Sequence, residues 1–149
     1  MINAVNVKKG LIMFLVRLIY ASTVGESFKP SDIESILYSA RKNNKQQGIT
    51  GMLCFNSRYF LQCLEGSRSA VNDCFSKIQT DTRHKSIMLL SYTEITQRAF
   101  SSWEMGYVSE QAITKRSVLQ FSTKDAFDPY SMLGDSALSL LADFRQLAE

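Results

Sequence analysis

Three polar side chains occupy positions where the surrounding pattern calls for apolar ones: the phenol of Tyr20 and the carboxamides of Asn44 and Gln62. In FLVRLIYAS, Phe14, Val16, Leu18 and Tyr20 recur every second residue, so the hydroxyl closes an apolar strand row. Ile33, Ile36, Leu37 and Ala40 recur at helical intervals, and Asn44 follows four residues later at the end of RKNN. In YFLQCLE, Gln62 lies between Phe60 and Leu64 on one strand face. An amide or hydroxyl taken out of water costs about 1–3 kcal/mol unless it is bonded, so each of these groups requires a partner. One phenol and two carboxamides on a shared apolar face offer both donors and acceptors, which suits a flat heteroaromatic ligand with mixed polar edges. Each residue also has a plainer reading: Asn44 as a left-handed helix C-cap, Gln62 on a solvent face with Leu61 and Cys63 inside, and Tyr20 at a core edge. Trp103 and Met105 alternate in SSWEMGYV; they join the same face if that strand lies beside the first, and otherwise pack in the core.

Conventional catalytic chemistry has little support. His84 is the sole histidine of the chain and has no partner at a metal-ligand spacing. No G-x-S-x-G, H-E-x-x-H or P-loop pattern occurs, and Gly48-x-x-Gly51 is too short for a nucleotide fingerprint. Seventeen Lys and Arg against 14 Asp and Glu give a net charge of +3, scattered too evenly for a nucleic-acid footprint, and MLCFNSRYF does not fit an RNA-binding octamer. Cys54, Cys63 and Cys74 form no C-x-x-C pair and leave one over, which fits a reducing, cytoplasmic setting better than a disulfide framework. Lys8-Lys9 before LIMFLV imitates a signal peptide, but Arg17 interrupts the apolar run. No stretch approaches the roughly 20 apolar residues needed to span a bilayer, so neither nucleic acid nor membrane is expected as a partner.

The elements that must position these side chains follow from period and punctuation. A lead of residues 1–12 precedes a first strand, which ends near 21. Pro30 and the capping-box spacing Ser31-x-x-Glu34 open a helix over about 31–44. ITGMLCFN and YFLQCLE, joined at Ser57-Arg58, form a hairpin. Val71, Cys74, Phe75 and Ile78 mark a second helix closing near Asp81, and strands follow at about 86–96 and 102–109. The order β-α-β-β-α-β-β predicts an α+β, ferredoxin-like domain with a five-stranded mixed sheet, both helices on one face. Residues 110–149 are an addition, in which Asp128-Pro129 signals a helix start and Leu133, Ala137, Leu140, Leu141 and Phe144 form an apolar stripe.

The segments LIYAS, RKNNKQQGITGML, FLQCLEG, QTDTRH and SSWEMG, in this order and spacing, resemble the blue-light-using flavin (BLUF) photoreceptor domain over about residues 13–109. The tail from Glu110 resembles the two-helix cap of short, stand-alone members. The resemblance implies a non-covalently held flavin, FAD first and FMN or riboflavin as variants, inserted between the two helices. It implies that Tyr20 donates an electron and that Gln62 reads the flavin's N5 and C4=O. Asn44, with Asn43 beside it, falls on the contact to the pyrimidine edge, and Ile36 and Ile78 on the aliphatic walls. Lys77, Asp81, Arg83 and His84 fall towards the ribityl and phosphate end, and Trp103 and Met105 on the switching pair. Ala40 stands where many members carry a serine. The implied function is blue-light sensing without turnover, relayed through the last strand and C-terminal helices to a downstream signalling protein or a homo-oligomer partner. The alternatives from other classes are a non-photoactive flavin-binding protein and a ferredoxin-like ligand-binding regulator. An acyl-phosphate hydrolase on the same fold lacks its glycine-rich anion loop here.

Overall fold

The computed structural model describes residues 14–148, so the expected lead over residues 1–12 lies outside the described part. Five strands form one sheet: β1 (Leu15–Val24), β2 (Thr50–Phe55), β3 (Tyr59–Ser67), β4 (His84–Glu94) and β5 (Gly106–Val108), in the spatial order β4-β1-β3-β2-β5. Helix α1 (Asp32–Gln47) joins β1 to β2 and α2 (Arg68–Gln79) joins β3 to β4. All neighbouring pairs are antiparallel except β2 and β5, which makes the sheet mixed, as the element order predicts. β5 is shorter than expected and sits at the edge beyond β2, away from β1.

Local chemistry sets the boundaries. The helix expected to stop at residue 44 runs one turn further, because Gly48 adopts a left-handed conformation (φ 69°) and its N–H returns to the Asn44 carbonyl. Asn44 is therefore inside the helix and does not cap it. The capping box is not formed either: Ser31 is itself helical, with no side-chain cap bond, and Asp32 instead accepts from the Lys29 N–H at 2.8 Å. On α2, Ser67 does cap, accepting from the Ala70 N–H. Gly51 serves a different need, since a Cβ there would lie 2.0 Å from the Cys63 carbonyl oxygen of the neighbouring strand.

The sheet separates two apolar clusters. On the helix side, Leu18, Tyr20, Leu53, Phe60, Leu64 and Met105 pack with Leu37 and Val71. On the other side, Ile19, Met52, Cys54, Leu61 and Cys63 pack beneath the C-terminal extension. That extension contains α3 (Lys115–Phe121) and α4 (Gly134–Asp143), with short 3-10 turns at Pro129–Ser131 and Phe144–Leu147. Ala137, Leu140, Leu141 and Phe144 of the anticipated stripe are fully buried, whereas Leu133 is 76% exposed. Asp128-Pro129 opens a 3-10 turn and not the long helix, which starts at Gly134. No apolar stripe marks the short α3; a second helix in the tail is implied by the two-helix resemblance alone.

β3 is buried on both faces, and its second polar residue, Glu65, is fully buried on the side of the extension. Its carboxylate accepts from Arg17 Nε at 2.8 Å and from the Ala99 and Phe100 N–H groups at 3.0 and 2.9 Å. Arg98 adds bonds to the Gly48 and Glu65 carbonyls and to Thr50 Oγ1. Together these clamp the loop that enters β5. Removing the carboxylate leaves Arg17 and two backbone donors without an acceptor, so Glu65→Ala should lower unfolding stability by about 3–5 kcal/mol in a urea titration.

Candidate functional site

Strand register brings the phenol and the glutamine together. Tyr20 of β1 lies directly opposite Gln62 of β3, and Gln62 opposite Leu53 of β2, so the three side chains form a row across the sheet on its helix side. The Tyr20 hydroxyl donates to Gln62 Oε1 at 2.5 Å, and Gln62 Nε2 donates to Met105 Sδ at 3.4 Å. Tyr20 and Gln62 are 3% and 6% exposed. A thioether is a weak acceptor, so the amide spends one of its two hydrogens on a poor partner and keeps strong donor capacity beside the space it lines.

That space is a cavity of about 230 Å³ between α1 and α2, with the sheet as its floor. Ile36, Ala40, Asn43 and Asn44 line it from α1, and Cys74, Lys77 and Ile78 from α2. Leu53, Phe60, Gln62 and Leu64 rise from the sheet, and Asp81, Arg83 and His84 close the end beyond α2. The sequence-derived set Tyr20, Ile36, Asn43, Asn44, Gln62, Lys77, Ile78, Asp81, Arg83 and His84 thus lines one cavity. Met105, the remaining member of that set, does not line the cavity and reaches it only through the Gln62 amide.

Trp103 and Met105 do not share a face. The strand begins only at Gly106, so alternation does not extend back over these residues. Met105 joins the helix-side cluster at 2% exposure, while Trp103 packs against the cluster under the extension. Three successive carbonyls of this segment are gripped: Trp103 by the Gly51 N–H, Glu104 by Asn44 Nδ2 at 2.8 Å, and Met105 by Arg41 Nε at 2.9 Å. Asn44 therefore touches the cavity and the approach to β5 at once.

At the outer end, Asp81 and Arg83 form a forked pair, with N···O distances of 2.6–3.1 Å, and the guanidinium holds the carboxyl below its usual range. Lys77 lines this end as a second cation. His84 is fixed by two bonds, Nε2 to the Ile78 carbonyl at 2.7 Å and Nδ1 to Ser22 Oγ at 2.9 Å, and its ring meets those of Tyr20 and Phe60 edge-on. Leu53, Phe60, Leu64 and Cys74 join the lining as apolar pattern residues, and two polar residues of α1 escaped the sequence reading. Gln47 continues the stripe three residues beyond Asn44 and was hidden by ending the helix early; Ser39 is adjacent to Ala40 but off the apolar stripe. Among the described residues no cluster of three or more His, Cys, Asp or Glu could hold a metal. No helix among them is long and apolar enough to cross a membrane.

Residues 15–106 match the family described as sensors of blue light using FAD, BLUF. The chain is 32% identical over 106 residues to photoactivated adenylate cyclase subunit alpha of Euglena gracilis, a match covering 70% of this chain and 10% of that protein. The chain spans about 10–14% of the length of such cyclase relatives. Solved structures of similar size match more of both chains: BlsA in its photo-activated state superposes with TM-score 0.79 at 33% identity, covering 87% of this chain and 93% of that one. The dark state of BlrB, a BLUF protein, superposes with TM-score 0.75 at 31% identity, covering 89% and 96%.

Burial pushes the Tyr20 hydroxyl far above the ordinary tyrosine range, and the nearby Cys74 and Asp81 add to the shift. Above about pH 10 the unfolded chain releases a proton that the folded chain keeps, so stability falls as pH rises through that window. In Tyr20→Phe the fall should be shallower by up to about 1.4 kcal/mol per pH unit, measured by denaturant titration on either side of pH 10.

Proposed function

The chain belongs to the BLUF family of blue-light sensors, and we propose that it holds a flavin, FAD in particular, in the cavity between α1 and α2 and signals light without turnover of its own. The supporting observation is the Tyr20–Gln62–Met105 chain, which leaves a buried carboxamide half-committed at the cavity wall. The donor set fits a flavin. Ile36, Leu53 and Ile78 supply flat apolar walls, Gln62, Asn44 and Asn43 supply amides for a ring edge carrying both donors and acceptors, and Lys77 with Arg83 stands where a phosphate-bearing side chain would leave.

Bound flavin supplies blue absorption and an excited state that draws an electron from a neighbouring phenol and later returns it. The protein's part is the proton. Tyr20 holds its proton against Gln62 Oε1 at 2.5 Å, in a site dry enough to keep the phenol un-ionised at rest. A phenol that has lost an electron is a strong acid, and its proton crosses to Gln62 Oε1. When the electron comes back, Tyr20 recovers its basicity and the proton with it. Meanwhile the amide can exchange the end it presents to the cavity, by turning or by moving a proton between its oxygen and nitrogen. Turning breaks its bond to Met105 Sδ, the weakest in the chain, whereas moving the proton leaves a single N–H for which Met105 and the cavity compete. No net oxidation or reduction remains.

Signal leaves through contacts the resting amide maintains. Met105 and, through Asn44, Glu104 sit directly before β5, whose neighbour Trp103 packs under the C-terminal extension. Two packings of this segment differ by the Gln62 contact, and a partner that distinguishes them converts light into a change of affinity. We assign residues 13–109 to flavin binding and 110–149 to output through a partner protein or a second copy of the chain.

The purified protein is expected to be yellow and to undergo a small, reversible red shift of its visible absorption under blue light. Tyr20→Phe and Gln62→Leu should retain flavin and lose at least about 90% of the shift, whereas Asn44→Ala should weaken flavin binding by roughly tenfold, the size of one buried hydrogen bond. A normal shift in Gln62→Leu, or bleaching in place of a shift in the parent, would overturn the assignment.

A further inference from the structure

The cavity has a second polar connection to the C-terminal extension, at the opposite end from Met105. Ser22 and Thr23 are consecutive on β1 and point to opposite sides of the sheet. Ser22, fully buried, bonds His84 Nδ1 on the cavity side, while Thr23 Oγ1 bonds the Tyr130 hydroxyl at 2.7 Å on the side of the extension. The Tyr130 hydroxyl also donates to the Ser86 carbonyl at 2.8 Å. Ser86 is two residues from His84 on β4 and has a φ of 55°, a left-handed conformation that a serine holds only under constraint. The pairing of β1 with β4 shifts register at this point, between Ala21 and Thr23. The Tyr130 ring is seated edge-on against Tyr59, and its turn is capped by Asp128, which accepts from the Tyr130 N–H.

We propose that Tyr130 is a positioning residue through which the C-terminal extension reads the His84 end of the cavity. This rests on the light-sensing reading above. The irregular strand at Ser86 is held from both sides: His84 is pinned to Ser22 and the Ile78 carbonyl within the cavity wall, and Ser86 to Tyr130 on the far face. A side chain rearranging beside Tyr20 presses on His84, whose ring lies 6.1 Å from that of Tyr20. Any movement of His84 along β4 is passed to Ser86 by a backbone two residues long, and the Tyr130 hydroxyl must follow or let go. The extension thus has two attachments to the cavity, one through the Met105 segment and one through Tyr130, on opposite edges of the sheet.

Hydrogen-exchange mass spectrometry on the flavin-loaded full chain, in darkness and under blue light, tests this. In the parent, peptides covering 84–88 and 129–141 should exchange about fivefold faster in the light, a change one hydrogen bond can support. Tyr130→Phe keeps the ring against Tyr59 and should keep the red shift, but the light-minus-dark difference at 129–141 should disappear. Thr23→Val removes the other hydroxyl and should reduce the same difference. Asp128→Ala loosens the turn but leaves the Tyr130 hydroxyl, and should preserve it. The proposal is overturned if Tyr130→Phe responds like the parent, if Asp128→Ala loses the response equally, or if a parent that red-shifts shows no change at these peptides. A parent that does not red-shift refutes the light-sensing reading itself, which the absorption spectrum reports separately.

Discussion

A carboxamide buried at the centre of a sheet has four bonding positions and, away from water, few ways to fill them. Gln62 fills one acceptor position strongly, with the Tyr20 hydroxyl, and one donor position weakly, with a sulfur. Much of the architecture serves this shortage. Strand register sets Tyr20 opposite the amide, Leu53 on its other flank excludes water, and α1 and α2 stand apart to leave a cavity at the amide's unsatisfied side. A fully satisfied glutamine would be a rigid core residue. A half-satisfied one has a second arrangement within reach, and a sensor needs two arrangements of similar free energy.

The same strand carries a second polar residue with the opposite character. Glu65 receives three bonds, from Arg17 and two backbone donors, and so has no alternative partner to move to. It lies three residues from Gln62 on the other face of β3, and it anchors the loop that leads to Trp103 and Met105. A fixed point and a movable one thus sit on a single strand. The segment between them and β5 can respond to the movable group because the fixed one prevents the whole loop from drifting.

The polar residues facing the cavity were legible in the sequence because they interrupt strong periods. Gln62 breaks an alternating strand and Asn44 extends a helical stripe, and both irregularities survive an error of several residues in an element boundary. Trp103 and Met105 were legible as a pair but not in their orientation, since two-residue alternation applies only within a strand, and β5 starts after both of them. Glu65 gave no warning of its role: a glutamate ending a strand reads as solvent-facing, and only the extension folding over the second face buries it. Tyr130 is hidden for a related reason. Its partners, Thr23 and Ser86, are more than 40 residues away, and no local pattern encodes a left-handed serine near the start of a strand.

Met105 presents its sulfur to the amide at 2% exposure, and that choice of element has a chemical consequence. Oxidation would convert the thioether to a sulfoxide, whose oxygen is a far better acceptor than sulfur, and the Gln62 amide would then be held in one orientation. The bond that makes the arrangement easy to reverse is also the one that oxidation of the sulfur would lock until it is reduced again. Sealing the sulfur beneath α1, with Arg41 and Asn44 fastening the backbone on either side, protects reversibility itself.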